Sequence, residues 1–346
     1  MTQQRHSRIV SVGSALPARV VSNQYFESIV ETSDEWIVDR TGIRERRFAG
    51  PGETTATLSA EAADLALRRA GMSPQAVDLL VVATCTPDRL LPSTGAFVQS
   101  RLGMTCASFD LNAACSGFVY GLSVGDAFIR AGQADRVLVV GAEVLSRYLD
   151  FTDRTTCVLF GDGAGAALLE PGESPGIVDS LLALDGAQAD LLTIPAGGSE
   201  EPASADSVAG RRHAIRMSDG RAVFRQAVVA MAEACEALLD KAGLRPQDVD
   251  ALLAHQANLR IITAVGKRLG IDLDRTLVNI DRVGNTSAAS IAIAMDEAWQ
   301  AGRLRPGHLV LTTAFGAGLS WGANLIRWTA PAPEESGGPS SDGAHG

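Results

Sequence analysis

What most constrains this chain is that it repeats itself once. Residues 60–71 read AEAADLALRRAG and residues 232–243 read AEACEALLDKAG. The likeness continues: 72–83 is MSPQAVDLLVVA and 244–255 is LRPQDVDALLAH. At a constant offset of 172, 11 of these 24 positions are identical. An offset of half the 346 residues marks a duplicated domain, whereas solenoid repeats recur every ~20–50 residues. Each copy reads as an Ala/Leu-rich helix, a Gly stop, a Pro-containing turn and an apolar strand. Further pairs follow with small shifts. DRVLVVGA (135–142) corresponds to GHLVLTTA (307–314), and FGDGAGAALL (160–169) resembles FGAGLSWGANL (315–325). Strands this apolar, alternating with helices, belong to sheets covered on both faces. The expectation is an α/β protein of two halves packed face to face, residues 1–175 and 176–330. The stretch Gly197–Gly210 reads as a surface loop joining the halves. The tail 331–346, whose only apolar side chains are Ala and Pro, reads as disordered.

Composition closes off several classes. The formal net charge is −10, which argues against a nucleic-acid binder with a wholly basic surface. No run of about 18 apolar residues free of charge occurs, so no membrane span is expected. The opening MTQQRHSRIV has no apolar stretch, so a secretory signal is not expected and the cytoplasm is the expected compartment. The five cysteines are odd in number and form no C-x-x-C pair, which argues against a disulfide framework. No two Cys/His positions have a zinc-ligand spacing, so no metal is expected. The default for each Cys is a small buried apolar residue.

One cysteine has a different setting. Around Cys115 the chain reads SFDLNAACSGFVYGLSVGDAFIRAG. SFDLNAA suggests a buried strand and turn. From Ser116, apolar residues at helical spacing run to Ile129, and Gly132 stops the helix. Cys115 then stands at a strand-to-helix turn, where the helix N-terminus favours a thiolate and lowers the thiol pKa. The offset relates Cys115 to Ser287, in Gly284-Asn-Thr-Ser287, and Ala83 to His255. Equivalent turns of a duplicated fold, facing each other, are where one composite site would form.

Four segments carry a resemblance: Ala-Cys115-Ser-Gly-Phe, His255-Gln-Ala-Asn258, Gly284-Asn285-Thr-Ser-Ala-Ala-Ser and Phe315-Gly-Ala-Gly-Leu-Ser-Trp-Gly. In this order they resemble the motifs of β-ketoacyl-acyl-carrier-protein synthase III, the initiating condensing enzyme of bacterial fatty-acid synthesis. The resemblance spans about residues 8–329. It implies a thiolase-like fold: duplicated halves with stacked sheets and central helices, in αβαβα layers. It also implies a cytoplasmic homodimer that condenses an acyl-CoA primer with malonyl-acyl-carrier-protein, with no metal or redox cofactor and no nucleic-acid or membrane partner.

The implied roles have physical reasons. Cys115 would accept the acyl group as a thioester. His255 and Asn285 would donate hydrogen bonds to the malonyl thioester oxygen as CO2 leaves and enolate charge develops. A carboxylate in place of Asn285 would repel that charge. The backbone N–H groups of Cys115 and Ala317 would form the oxyanion hole. Family members often have Gly at 317, and Ala there would be strained at positive φ. Trp36, Arg40, Arg154 and Asn258 match coenzyme A contacts, with Phe224 on the tunnel wall. Without the resemblance, Trp36 reads as a core anchor, Arg40 as a solvated charge and Phe224 as core. Arg260, Lys267 and Arg268, with Arg225, form either a docking patch for the acidic carrier protein or a solvated helix face. Leu91, in Pro87–Ser93, matches a loop that reaches the partner's acyl pocket; the alternative is interface packing alone.

Two other motifs lead elsewhere. Gly161-Asp-Gly-Ala-Gly165 lacks the following helix that a dinucleotide loop requires, and its apolar continuation suits a strand. Gly121-Leu-Ser-Val-Gly125 would make Ser123 a hydrolase nucleophile, but Ser123 falls in mid-helix. Rival readings are a thiolase-fold acyltransferase without condensation and a non-catalytic partner subunit. The intact Asn285 and Cys115 disfavour them.

Overall fold

The computed structural model describes residues 5–333. Two sheets form its frame. The first holds β1 (His6–Ala15), β2 (Leu79–Ala83), β3 (Ala107–Leu111), β4 (Val137–Glu143) and β5 (Gly163–Gly172), in the spatial order β1-β5-β4-β2-β3. The second holds β6 (Ile177–Leu184), β7 (Ala251–Ala254), β8 (Leu309–Gly316) and β9 (Ser320–Arg327), in the order β6-β9-β8-β7. β2 and β4 pair in parallel, as do β7 and β8, and β5 and β9 return antiparallel. The two sheets thus share one topology. The counterpart of β3 has shrunk to a single parallel bridge between Leu252 and Thr276.

Helices complete the repeat. In the first half, α2 (Thr55–Arg69) precedes β2, and α3 (Gly117–Arg130) follows the Cys115 turn. Their counterparts are α4 (Gly220–Ala242) and α6 (Ala289–Gln300). Two further helices matter for the site, α1 (Asp34–Thr41) and α5 (Leu259–Leu269). Local chemistry starts them. Thr54 caps α2 in a box with Thr57, the Asp219 carboxylate accepts from Arg221 and Ala222 at the head of α4, and Asn258 caps α5. Gly243 ends α4 at φ 66, a left-handed position that a side chain resists.

The order of layers is α2, first sheet, α3 with α6, second sheet, α4 with α5. A central apolar cluster unites Phe118, Leu122, Ile129, Ile291 and Met295 of the two middle helices with strands of both sheets. Strand β2, LLVVA, is buried throughout because helices cover both its faces. Close approach of α6 needs glycine: a Cβ at Gly141 would lie 2.3 Å from the Ala288 carbonyl oxygen. Among the described residues no helix is long and apolar enough to cross a membrane.

Three expectations change. Gly197–Gly210 is largely exposed, but it lies inside the second half and contains the helical turn Ala205–Ala209; the sheets meet instead between Gly172 and Ile177. The segment after Cys106 is only half-buried, because β3 is the edge strand of its sheet. Of the tail, residues 334–346 lie outside the described residues, while the Pro331 carbonyl accepts a hydrogen bond from Trp299 at 2.6 Å. The two decoy motifs fold as expected: Gly163 opens β5, and Ser123, inside α3, donates back to the Val119 carbonyl.

Candidate active site

Cys115 sits in the single turn Ala114–Ser116 that leads into α3. Ala114 takes φ 45, a left-handed conformation, so the chain bends sharply at the thiol. Two serines clamp the bend to the second sheet: Ser116 donates to the Ser320 carbonyl, and the Ser320 hydroxyl donates to the Ala113 carbonyl. The backbone of Gly316 lies against the nucleophile, since a Cβ there would be 2.6 Å from the Cys115 nitrogen. Ala317 follows. It has no positive φ; the left-handed residue is Gly318, at φ 126, so the strain expected at Ala317 is absent.

Cys115, His255 and Asn285 line one cavity of about 130 Å³, with Phe224 and Asn258 on its wall. The Asn285 backbone is pinned by bonds to Leu159 and Gly161 in a short parallel bridge. Its Oδ1 accepts the Ser287 N–H at 2.8 Å. A backbone N–H can only donate, so this bond fixes which end of the amide is oxygen and leaves the NH2 as the free donor. His255 caps the end of β7, its backbone N–H bonded to Thr313 and its Nδ1 2.6 Å from the Ser290 hydroxyl.

Electrostatics here differ from the helix-terminus expectation. Burial pushes the Cys115 thiol up to about 11; the Ser287 hydroxyl opposes this and the Glu143 carboxylate adds to it. Burial pushes His255 down to about 3. Burial thus disfavours the charged form of both groups and favours a neutral thiol and a neutral imidazole at rest. Glu143 is fully buried, and its carboxyl is raised by burial against donors from Thr86, Cys85 and Thr84. It also accepts the Ser287 hydroxyl at 3.2 Å. Cys85, expected in the core, instead donates to Glu143 and faces a second cavity. That cavity is about 550 Å³, with Cys115 and Ala317 on its wall and Leu145, Leu184, Ile194 and Ile215 among its apolar lining.

The remaining candidates divide. Asn258 joins the first cavity to the surface, its Nδ2 bonded to the Arg40 carbonyl. The Arg154 guanidinium lies 5.3 Å from the centroid of the half-buried Trp36 ring. Asn258 alone of these four lines the cavity; Arg40 is tied to it by that bond, and Trp36 stands one turn before Arg40 on α1 with Arg154 against its ring. Arg225, Arg260 and Lys267 are exposed and carry no ion pair among the described residues. Arg268 leaves the group: it is bridged to Glu233 and Glu236 of α4, each at 3.2 Å, so its charge is spent within the chain. Leu91 lines none of the cavities described here and is 85% exposed beside an equally exposed Leu90.

Sequence reading missed Glu143, Ser287, Ser290, Gly316 and Ser320 as supports. The signal for Glu143 was available: it is a lone charge ending a wholly buried strand.

Residues 109–186 match the 3-oxoacyl-(acyl-carrier-protein) synthase III family, and 239–328 match that family's C-terminal region. A β-ketoacyl-acyl-carrier-protein synthase III of Roseiflexus sp. is 50% identical over 92% of this chain and 97% of its own length. The chain belongs to the β-ketoacyl-acyl-carrier-protein synthase III family. It is an initiating condensing enzyme of acyltransferase type. The family's enzyme from Caldanaerobacter subterraneus is 47% identical, covering 95% of this chain and all of that one. Among solved structures, the family's enzyme from Aquifex aeolicus is 45% identical at TM-score 0.86, over 93% of this chain and all of its own. The priming β-ketosynthase of the R1128 polyketide pathway is 37% identical at TM-score 0.89, over 96% and 98%. OleA of Xanthomonas campestris, 19% identical at TM-score 0.82, shares the fold.

Proposed function

We propose that Cys115 takes an acyl group from acyl-CoA and joins it to malonyl-acyl-carrier-protein, giving 3-oxoacyl carrier protein, CO2 and coenzyme A. The observation that carries this reading is the convergence of one thiol and two side-chain donors on one small cavity. In the first step the thiol attacks the primer thioester. Its proton ends on the departing coenzyme A sulfur, which leaves as the free thiol. In the second step the malonyl thioester oxygen lies against Asn285 Nδ2–H and an N–H of His255. The C–C bond to CO2 breaks, its electron pair becomes the enolate, and fixed donors stabilise the new charge. The enolate carbon then attacks the Cys115 thioester and expels the Cys115 thiolate, which takes up one proton from solvent to restore the resting thiol. Backbone N–H groups of Cys115 and Ala317 serve the acyl oxygen.

Coenzyme A enters past Asn258 and Phe224, with Trp36, Arg40 and Arg154 at the mouth; planar aromatic and guanidinium groups suit adenine and phosphates. Exposed Arg225, Arg260 and Lys267 suit an acidic carrier protein. The apolar second cavity suits the primer chain, and in a homodimer the exposed Leu91 loop reaches the partner's cavity. The enzyme works in the cytoplasm, with acyl-CoA and carrier protein as substrates and no metal or redox cofactor. The test is a reaction with both substrates in which CO2, free coenzyme A and 3-oxoacyl carrier protein are counted. Condensation gives one of each per turnover. Acyl transfer without CO2, or no reaction, would replace this reading.

A further inference from the structure

We propose that Ser290 is a positioning residue that holds His255 in the tautomer carrying its proton on Nε2, the nitrogen turned away from Ser290. The inference rests on the role of His255 as a donor to the malonyl thioester and adds what makes it one. A neutral imidazole has one N–H, and a donor into the cavity exists only if that N–H is Nε2. Ser290 is fully buried in the first turn of α6, its Oγ 2.6 Å from His255 Nδ1. The same Oγ accepts the Gln256 backbone N–H at 3.4 Å. Among the described residues the Ser290 hydroxyl makes no other hydrogen bond, so His255 Nδ1 is the acceptor open to its O–H. With Nδ1 protonated instead, Nδ1–H would donate to the Ser290 oxygen and leave the Ser290 O–H without an acceptor in a buried site.

The repeat points the same way. At the offset of 172, His255 corresponds to Ala83 and Ser290 to Phe118, both apolar and buried. The polar pair exists together in the second half and is replaced together in the first. One short segment therefore sets both enolate donors: the Ser287 N–H orients Asn285, and the Ser290 O–H orients His255.

The experiment is ¹⁵N NMR of the full-length enzyme labelled at histidine, with the His255 signals identified by their loss in His255→Gln. The expected wild-type spectrum has His255 Nε2 protonated and Nδ1 bare, and in Ser290→Ala the proton spreads onto Nδ1. In parallel, Ser290→Ala should self-acylate within about twofold of wild type while decarboxylating malonyl carrier protein about tenfold slower. That loss is smaller than the ~10²–10³ for removal of an oxyanion-type donor. Ser290→Thr, which keeps the hydroxyl, should recover the rate. A wild-type Nδ1 that is protonated overturns the inference even if no variant folds. Full decarboxylation by Ser290→Ala with an unmoved tautomer overturns it too. Undiminished decarboxylation by His255→Ala would instead overturn the donor role of His255 itself.

Discussion

Replacing Asn285 by Asp changes one functional group and leaves its support intact. In the wild type, Asn285 Oδ1 accepts the Ser287 N–H at 2.8 Å, and an aspartate oxygen keeps that bond. What changes is the other end, where an NH2 donor becomes an oxygen. Loss of the donor alone, as in Asn285→Ala, should cost about 10²–10³ in decarboxylation rate, or ~2.7–4 kcal/mol. An ionised Asp adds repulsion. Two negative charges about 4 Å apart interact by ~4 kcal/mol at an effective dielectric near 20, close to a further thousandfold. Asn285 is only 6% exposed, so burial raises the carboxyl of the new Asp, and the added penalty should shrink as the pH falls. The assay is CO2 release from malonyl carrier protein across pH, beside acyl-adduct formation on the same samples. Both variants should acylate nearly as wild type, with Asp worse than Ala at neutral pH and approaching it in acid. An Asp variant that decarboxylates at the wild-type rate would refute the donor role. Equal loss of acylation and decarboxylation would reduce Asn285 to scaffolding.

Three further outcomes are expected. His255 is held near 3 against an ordinary 6.5, so its neutral burial stabilises the fold fully above pH 6.5, and that contribution fades as pH falls towards 3. Between pH 7 and 5 the loss is about 2 kcal/mol; urea unfolding at these two pH values should show a drop smaller by that amount in His255→Asn. Arg260→Glu and Lys267→Glu should raise KM for malonyl carrier protein more than for acyl-CoA, and the wild-type carrier reaction should weaken with salt, since exposed charges are screened over about 10 Å at 0.1 M. Leu91→Phe should shift kcat/KM towards acetyl-CoA in an acyl-CoA series, because one methylene in an apolar pocket is worth ~1–3 kcal/mol; parallel profiles would leave Leu91 as packing.

The duplication made much of the fold legible. Leu79–Ala83 and Ala251–Ala254, Val137 and Leu309, Gly117 and Ala289 are all offset by 172 and begin equivalent elements. That Cys115, His255 and Asn285 come together at one cavity was also readable, because chemistry and family resemblance meet at their turns. What the sequence hid is set by three-dimensional pairing. Ser287, Ser290 and Ser320 look like ordinary small residues until their hydroxyls and amides meet Glu143, His255 and Ala113. At Cys115 a helix start is visible in the sequence, whereas the burial beside Glu143 that pushes the thiol up is not. Arg268 looked like a free cation because its glutamate partners lie on another helix.

The central claim is that Cys115 carries the acyl group that is then condensed. The direct measurement is intact-mass and peptide analysis of the enzyme after acyl-CoA, followed by a chase with malonyl carrier protein. One acyl adduct per chain should map to Cys115, be missing in Cys115→Ala, and discharge with one CO2 and one 3-oxoacyl carrier protein per adduct. An adduct that persists in Cys115→Ala, or one discharged without CO2, would contradict the account.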